Sequence, residues 1–316
     1  MAMVSKKKKV VKGKEYTYWS HSVRLPNGKV KTAQKIAKKN DDSKSIQEWV
    51  SNQERKIWGD WAVQSYAPDS IFTAEQIRKT EDMKVGYKKI THALTKNQLK
   101  DLFDRFTANF TYESNALEGN SLTLKDVSIV LFEKSAIKGK ALREIYETVN
   151  SRNVVDLILK RKLKAAEKDI IRMHKMLVEK MNVETGYKKI PNYLVGRTVE
   201  TTPPENVERE MKNLISFYGK KRKTMHPLKL ASLFHGKFEK IHPFDDGNGR
   251  VGRFLINIML VNAGYPPLII RKTQRVHYLK CLEDFDNGYT QNLERFLLEK
   301  YKDTYKKFFE IYLKYI

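Results

Sequence analysis

The segment Gly247–Val261, GNGRVGRFLINIMLV, limits the fold of this chain more than any other. From Val251 onward its apolar residues follow helical spacing and extend almost all round, which is typical of a helix buried at the centre of a fold. Arg250, Arg253 and Asn257 interrupt this pattern on one stripe near the start of the helix. Two buried guanidinium groups need an anion beside them. The segment therefore predicts a central helix that begins at an anion site.

The residues before this helix supply the remaining parts of such a site. Pro243 ends the preceding helical pattern, so His242 lies at a helix C-terminus, where its imidazole can take a proton from a hydroxyl. Gly247 and Gly249 let backbone N–H groups approach a phosphate closely at a helix N-terminus. Asp246 offers an oxygen to a divalent cation such as Mg²⁺. The combination predicts transfer from a nucleotide phosphate to a hydroxyl.

A transition-metal site is the alternative for the histidines and carboxylates of this region. His235, His242 and Asp246 have the right composition for one, but their spacing is not that of HExxH. Cys281, the single cysteine, excludes an intramolecular disulfide and is expected to be a buried thiol. Thiolate ligands are therefore not expected either.

Charge and hydropathy narrow the class of protein. The formal net charge is +24, of which residues 1–40 carry +11, from 12 Lys or Arg against Glu15. This basic start has no apolar segment after it, and no run of eighteen apolar residues occurs, so we expect neither a signal peptide nor a membrane span. A cytoplasmic protein is expected.

Secondary-structure signals change along the chain from β to α. Residues Tyr16–Lys31 alternate around the turn sequence PNG and predict a β-ribbon, followed by a helical connector. From Thr95 onward the pattern is nearly all helical, with Thr95 as one N-cap and Thr123 with Asp126 as a capping box. Turn-rich residues Gly186–Pro204 interrupt it and predict a short hairpin. The fold class is mainly α.

Twelve residues at the predicted site resemble a family signature. His242–Arg253, HPFDDGNGRVGR, is similar to the Fic motif HPFx(D/E)GNGRxxR and fills every fixed position. The resemblance extends over roughly Leu99–Leu298. It implies a Fic-type helical bundle with a short β-hairpin flap, preceded here by the small β-ribbon and helical connector. It also implies a protein adenylyltransferase, which moves AMP from ATP to a Ser, Thr or Tyr hydroxyl of a target protein and releases pyrophosphate.

Family roles carry over to this sequence position by position. The resemblance implies that His242 is the general base and that Asp246 binds Mg²⁺, whereas Phe244 only packs the loop. The other implied positions are the anion hole at Gly247, Asn248 and Gly249, the triphosphate arginines Arg250 and Arg253, adenine contacts from Asn257 and Tyr278, and a target-docking flap of Asn192, Tyr193, Leu194, Val195, Gly196, Arg197, Thr198 and Val199.

A second motif implies a switch. Residues 114–120, SNALEGN, are similar to the inhibitory pattern (S/T)xxxE(G/N) that precedes the catalytic core in some Fic proteins. Ser114 and Glu118 are one helical turn apart, and Gly119 favours the end of a helix. The resemblance implies that Glu118 pairs with Arg253 and occupies the position of the γ-phosphate. ATP would then bind only in an unproductive pose.

These patterns divide the chain and leave alternatives open. We expect a basic extension at 1–40, a connector at 41–94, a Fic core at 95–298 and a C-terminal helix at 299–316. The core would hold the inhibitory helix at about 110–120 and the catalytic loop at 242–253. One alternative is a de-AMPylase or a Fic relative that uses another nucleotide. Another is a nucleic-acid-binding regulator that acts through residues 1–40. The sequence leaves open whether the protein modifies itself, whether it forms a homodimer and which target protein it modifies.

Overall fold

The computed structural model describes residues 4–192 and 200–316. The chain separates into an N-terminal unit that ends at His92 and a larger unit that begins at Ala93. In the described part of the chain, no helix combines the length and the apolarity needed to cross a bilayer.

The N-terminal unit begins with a three-stranded antiparallel sheet. Its strands are β1 (Val4–Val11), β2 (Lys14–Arg24) and β3 (Val30–Ile36), in that order across the sheet. Gly28, with φ of +81°, permits the tight turn between β2 and β3. The predicted β-ribbon corresponds to β2 and β3, and the lysine run before it forms an additional strand. Lysines on an edge strand discourage pairing with another chain, which suits β1 to this position.

Two helices complete this unit. Helix α1 (Ser43–Tyr66) begins where the Asp42 side chain accepts a hydrogen bond from the Ser45 N–H at 2.8 Å, and α2 (Ala74–Ala93) follows. An aspartate at this position satisfies one of the unpaired N–H groups of the first turn. The helical connector expected after the ribbon is therefore present.

The larger unit is helical. Its α-helices are α3 (Lys96–Leu117), α4 (Leu124–Ser128), α5 (Leu142–Leu159), α6 (Glu167–Leu177), α7 (Pro204–Lys221), α8 (Pro227–Ile241), α9 (Asn248–Asn262), α10 (Arg275–Asp286) and α11 (Thr290–Phe308). The mainly α fold class is thus confirmed. The helix predicted at 299–316 begins earlier, at Thr290, and gives way to a short 3₁₀ turn at Glu310–Lys314.

Two predicted helix starts have the expected caps. Thr95 accepts a hydrogen bond from the Gln98 N–H, and the Gln98 side chain accepts one from the Thr95 N–H at 2.9 Å. Thr123 and Asp126 form the same reciprocal pair at the start of α4. The first cap fixes where α3 begins and therefore which residues lie at its C-terminal end, Ser114 among them.

Helix α9 lies at the centre of the larger unit. Every residue from Arg250 to Val261 is buried, and α3, α5, α6 and α8 all pack against this helix. Gly252 allows α8 to approach closely, because a Cβ at this position would collide with Glu239 and His235. The predicted central helix is present, and its N-terminal end is the point where the neighbouring helices converge. Residues 193–199, at the centre of the hairpin predicted within Gly186–Pro204, lie outside the described residues, and the described residues of this range form no strand.

Candidate active site

His242 is the last residue before the loop that joins α8 to α9. Its backbone has a φ of 50°, an uncommon left-handed conformation that turns the chain out of α8 just before Pro243. The Nδ1 atom lies 3.4 Å from the carbonyl oxygen of Glu239. Because a carbonyl oxygen can only accept, this contact requires the proton on Nδ1 and leaves the lone pair of the neutral ring on Nε2. The side chain is 15% exposed, so it is held but reachable.

Asn248 closes the loop after His242. Its Oδ1 accepts a hydrogen bond from the Phe244 N–H at 2.9 Å, and its Nδ2 donates to the Phe244 carbonyl oxygen at 2.6 Å. Both functions of the amide therefore fasten Phe244, whose ring is fully buried. We expected Asn248 to contact phosphate, and in this arrangement only its backbone N–H can do so.

The two glycines of the loop determine how a ligand can approach. Gly247 has a φ of +81°, which a residue with a side chain rarely adopts, and it directs the chain into α9. The first backbone hydrogen bond of α9 runs from the Val251 N–H to the Gly247 carbonyl oxygen at 2.9 Å. The N–H groups of residues 248–250 come before this bond and have no acceptor within the helix. Free N–H groups at a helix N-terminus can bind an anion, as the sequence predicts here.

Arg250 is 2% exposed and lies between two carboxylates. Its Nη2 is 3.4 Å from Asp246 Oδ1, and its Nη1 is 3.5 Å from Glu147 Oε1 on α5. Arg143, also on α5, pairs with the other oxygen of Asp246 and lies 3.5 Å from Glu147. The buried guanidinium thus belongs to a network of alternating charges, which offsets the desolvation penalty of burying it.

Arg253 lies one turn further along α9 and is held by the C-terminal end of α3. Its Nε donates to Ser114 Oγ at 3.0 Å, and its Nη2 donates to the Ser114 carbonyl oxygen at 2.8 Å. Nη2 also lies 2.7 Å from Glu118 Oε1. Burial has the largest single effect and would lower the pKa of Arg253, but the charge and hydrogen bond of Glu118, together with Tyr278 and Glu239, outweigh it and the pKa is raised. The ion pair implied by the inhibitory motif is therefore formed.

Glu118 also lies over the anion-binding N-terminus of α9. A Cβ on Gly249 would collide with the Glu118 carboxylate and would crowd the Arg253 guanidinium. Glu118 is the residue after the last turn of α3, and Gly119 follows it with a φ of +98°. The end of α3 thus brings a carboxylate to the point where Gly249 lacks a side chain.

Asp246 has the chemistry of a magnesium ligand at the edge of the anion site. Its side chain is 39% exposed and lies next to the loop that leads into α9. No group of three or more metal-binding side chains occurs in residues 4–192 and 200–316. One carboxylate still fits Mg²⁺, because this ion is often bound by one or two carboxylates together with substrate phosphates and water.

His174 on α6 is a functional position that the sequence reasoning missed. Its ring stacks on Phe244 with centroids 3.9 Å apart and planes 2° apart, and its Nε2 lies 3.0 Å from the Asp246 carbonyl oxygen. Burial lowers its pKa to about 4, so the ring is neutral near pH 7 and donates through Nε2. The sequence feature that could have indicated His174 is its position on the apolar stripe of α6, between Ile170 and Leu177.

The two predicted adenine contacts are already engaged within the protein, and Tyr278 lies beside Arg253 of the site. The Asn257 side chain donates to the Leu268 carbonyl oxygen at 3.0 Å and accepts from the Leu268 N–H at 2.8 Å. The Tyr278 hydroxyl lies 2.6 Å from His235 Nε2, and burial raises its pKa. Both side chains are buried. Their role toward adenine stays a prediction.

Only Asn192 of the predicted flap is described, since residues 193–199 lie outside the described ranges, and the residues on either side of it can be placed. Asn192 donates from Nδ2 to the Phe244 carbonyl oxygen at 2.9 Å. Lys188 donates from Nζ to Asn192 Oδ1 at 2.7 Å and to Thr201 Oγ1 at 2.9 Å. Its backbone N–H donates to the Pro243 carbonyl oxygen at 2.8 Å. Both ends of the segment are therefore joined to each other and to the catalytic loop.

Several known proteins with similar sequences are Fic proteins. Residues 164–260 match the profile of the Fic/DOC family. Protein adenylyltransferase Fic of Nematostella vectensis is 32% identical over 192 residues, which are 59% of this chain and 45% of that protein. The protein of the same name from Drosophila grimshawi is 32% identical over 206 residues, 64% of this chain and 42% of its own length. The chain thus spans less than half the length of these curated relatives.

Solved structures share the fold. A Fic domain containing signaling protein from Bacteroides thetaiotaomicron superposes with a TM-score of 0.66 at 24% identity, covering 72% of this chain and 94% of that one. Fic-1 from C. elegans superposes with a TM-score of 0.67 at 19% identity, covering 88% and 80%. The matched profile includes His242, Asp246, Arg250 and Arg253. The chain carries a domain of the Fic/DOC family.

Proposed function

We propose that this chain is a protein adenylyltransferase, a nucleotidyltransferase that moves AMP from ATP to a Ser, Thr or Tyr hydroxyl of a target protein. The hydroxyl oxygen forms a bond to the α-phosphorus, the bond from this phosphorus to the bridging oxygen of the β-phosphate breaks, and pyrophosphate leaves with the electron pair. The observation that carries the proposal is that one glycine-containing loop brings together His242, at its start, and two buried arginines just beyond its end.

His242 accepts the proton of the attacking hydroxyl. Its Nδ1 lies against the Glu239 carbonyl oxygen, so the basic lone pair of the neutral ring is on Nε2. A neutral imidazole is well suited to this role near pH 7, because its unperturbed pKa lies close to the working pH. The αL conformation of His242 turns the chain out of α8 at this residue.

The triphosphate binds at the N-terminus of α9. Backbone N–H groups of residues 248–250 meet phosphate oxygens, and Arg250 and Arg253 neutralise their charge. Asp246 would hold Mg²⁺, which neutralises phosphate charge when it is bound. His174 stabilises the same loop, because its ring stacks on Phe244 and its Nε2 donates to the Asp246 carbonyl oxygen.

Glu118 keeps the resting enzyme inactive. Its carboxylate is bound to Arg253 and lies against Gly249, so the γ-phosphate and Glu118 compete for one guanidinium group. Ser114 holds the same arginine through its hydroxyl and its carbonyl oxygen and keeps it oriented in either state. A nucleotide that leaves Glu118 in place would bind with its α-phosphate in an unproductive position.

The segment Asn192–Val199 holds the target protein as a docking flap. Its supports are the hydrogen bonds of Lys188, Asn192 and Thr201, which join the ends of the segment to the loop beside His242. A target chain that adds to this segment as an extended strand would bring its hydroxyl next to the base. The use of ATP fits the cytoplasmic location expected from the sequence.

Transfer of label from ATP tests the proposal. The protein is incubated with Mg²⁺ and ATP labelled at the α-phosphate or, in parallel, at the γ-phosphate, and protein-bound label is measured. We expect label from the α-phosphate alone in the Glu118→Gly background, and none after His242→Ala. Label from the γ-phosphate would identify a phosphotransferase instead. Release of AMP from an already modified protein, with no transfer from ATP, would identify the reverse reaction.

A further inference from the structure

The exposed face of the N-terminal sheet is defined by its register. Tyr18 is paired with Lys7 on β1 and with Ile36 on β3, so these residues share one face, as do all residues two apart along each strand. We call this the open face, and its members are Ser5, Lys7, Lys9, Val11, Lys14, Tyr16, Tyr18, Ser20, Ser22, Arg24, Val30, Thr32, Gln34 and Ile36. Among them only Ser20 is buried, and the two tyrosines are half-buried.

The opposite face of the sheet packs against its own unit along β2. Trp19 donates from Nε1 to Asp41 Oδ2 at 2.7 Å, and His21 Nε2 lies 3.4 Å from Glu54 Oε1 on α1. Val23 on the same face is buried. The sheet is therefore fixed from behind, and the open face is a preformed surface that no described element of its unit covers.

Each face carries four cations, and those of the opposite face are Lys6, Lys8, Lys31 and Lys35. The faces differ in the acids beside these cations, since Asp41 pairs with Lys35 at 3.2 Å on the opposite face. Lys7, Lys9, Lys14 and Arg24 lie on the open face, where the described strands carry no acidic residue. Glu15, the one acid among the first 40 residues, lies on the opposite face and pairs with Lys8 at 2.8 Å. The open face thus carries four positive charges that no acidic side chain of the same face offsets.

We propose that the open face binds the phosphate backbone of duplex DNA. Four cations on a surface about 10 Å wide, which is two strand spacings, match the scale of a major groove about 12 Å across. Hydroxyl and amide side chains lie between the cations, at Ser22, Thr32 and Gln34. Such groups donate to phosphate and base-edge oxygens. This activity is separate from the chemistry at His242.

The contacts of the open face favour a duplex over a single strand. Proteins that bind single strands stack bases on open aromatic rings. Here the Lys9 Nζ lies 5.7 Å from the centre of the Tyr18 ring, and the rings of Tyr16 and Tyr18 are inclined at 56° to each other. Lys9 also donates to Gln34 Oε1 at 2.8 Å. The Tyr18 ring is therefore already in contact with Lys9 within the sheet, which leaves less aromatic surface open for stacking.

Salt-dependent binding tests this proposal with the full chain. Fluorescence anisotropy with a labelled duplex of about 25 base pairs should give micromolar affinity at ~50 mM salt. The slope of log K against log salt concentration should be about −3.6 if all four cations contact phosphates. In the variant Lys7→Gln/Lys9→Gln the slope should fall to about −1.8, with a loss of roughly 60-fold in affinity at ~0.1 M salt.

Two controls distinguish binding by the open face from binding by the overall positive charge of the chain. The variant Lys220→Gln/Lys223→Gln removes two exposed charges from α7 and the residues after it, and should keep the wild-type slope. Within the sheet, Lys7→Gln should weaken binding and Lys31→Gln should not, because Lys31 is an exposed strand lysine on the opposite face. The proposal is overturned by any of three results: no duplex binding at ~50 mM salt, equal losses in the paired variants, or tighter binding of a single strand.

Discussion

Substitution of Glu118 by glycine removes the carboxylate that binds Arg253, and we expect it to increase transfer of AMP. In the structure Glu118 Oε1 is 2.7 Å from Arg253 Nη2 and lies against Gly249, where the triphosphate would enter. ATP must displace this carboxylate before its γ-phosphate can reach the guanidinium. Without Glu118 the productive pose no longer competes with an internal anion.

The size of the effect follows from the contact that is lost. A hydrogen bond to a charged group contributes roughly 1.5–3 kcal/mol to stability. Because Glu118 is 40% exposed, solvent screens the pair, and about 1.5–2 kcal/mol is the appropriate part of that range. At 1.36 kcal/mol for each factor of ten, the rate of self-modification should rise roughly ten- to thirty-fold. The free energy of unfolding should fall by no more than about 1.5–2 kcal/mol, because Ser114 still holds Arg253.

Initial rates of label transfer from ATP measure this effect. Glu118→Gln should give an intermediate rate, since its amide oxygen can still accept from Arg253 without the negative charge. Glu113→Gln serves as the matched control on α3, because an amide oxygen can keep the 2.7 Å hydrogen bond from the Lys272 N–H. Rates within twofold of wild type for Glu118→Gly, in a protein that still binds ATP, would refute the inhibitory reasoning.

Two further predictions concern the supports of the loop. His174 has a pKa of about 4 against an ordinary 6.5, so the unfolded chain binds the extra proton and stability falls as the pH falls through this window. From pH 7 to 5 the free energy of unfolding should drop by about 2 kcal/mol more in wild type than in His174→Phe, measured by denaturant titration. Asn192→Ala should lower the rate of target or self-modification and leave ATP affinity within twofold of wild type, because Asn192 joins Lys188 to the Phe244 carbonyl oxygen. An equal loss of ATP affinity would contradict a role in the flap.

Local sequence patterns predicted the secondary-structure elements better than the contacts that these elements make with one another. The caps at Thr95 and Thr123 and the end of α8 at His242 depend on neighbours within four residues, and the structure contains each of them. The strand β1 was not expected, because a lysine run has little strand propensity of its own. It forms through pairing with β2, where Lys6 and Lys9 lie over the rings of Trp19 and Tyr18. This is a tertiary effect that composition does not contain.

The same distinction applies to the candidate site. The motif residues from His242 to Arg253 are contiguous, so their spacing on a loop and a helix start could be inferred directly. The contacts of Glu147 and His174 with this loop depend on how α5 and α6 pack, and no spacing rule connects them to it. Glu118 was found only because its own local pattern resembles a family motif.

The charges of the site balance one another in the ligand-free arrangement. Arg253 is bound to Glu118, and Asp246 is bound to Arg143 as well as to Arg250. Under the proposed function, a nucleotide with its cation replaces these partners sign for sign: phosphate takes the place of Glu118, and Mg²⁺ takes the place of Arg143 at Asp246. Buried arginines are costly without an anion, and here α3 and α5 supply the missing charges from within the chain. The inhibitory contact therefore also offsets part of the cost of burying Arg253 in the empty site, and its carboxylate belongs to a residue that is 40% exposed at a helix end.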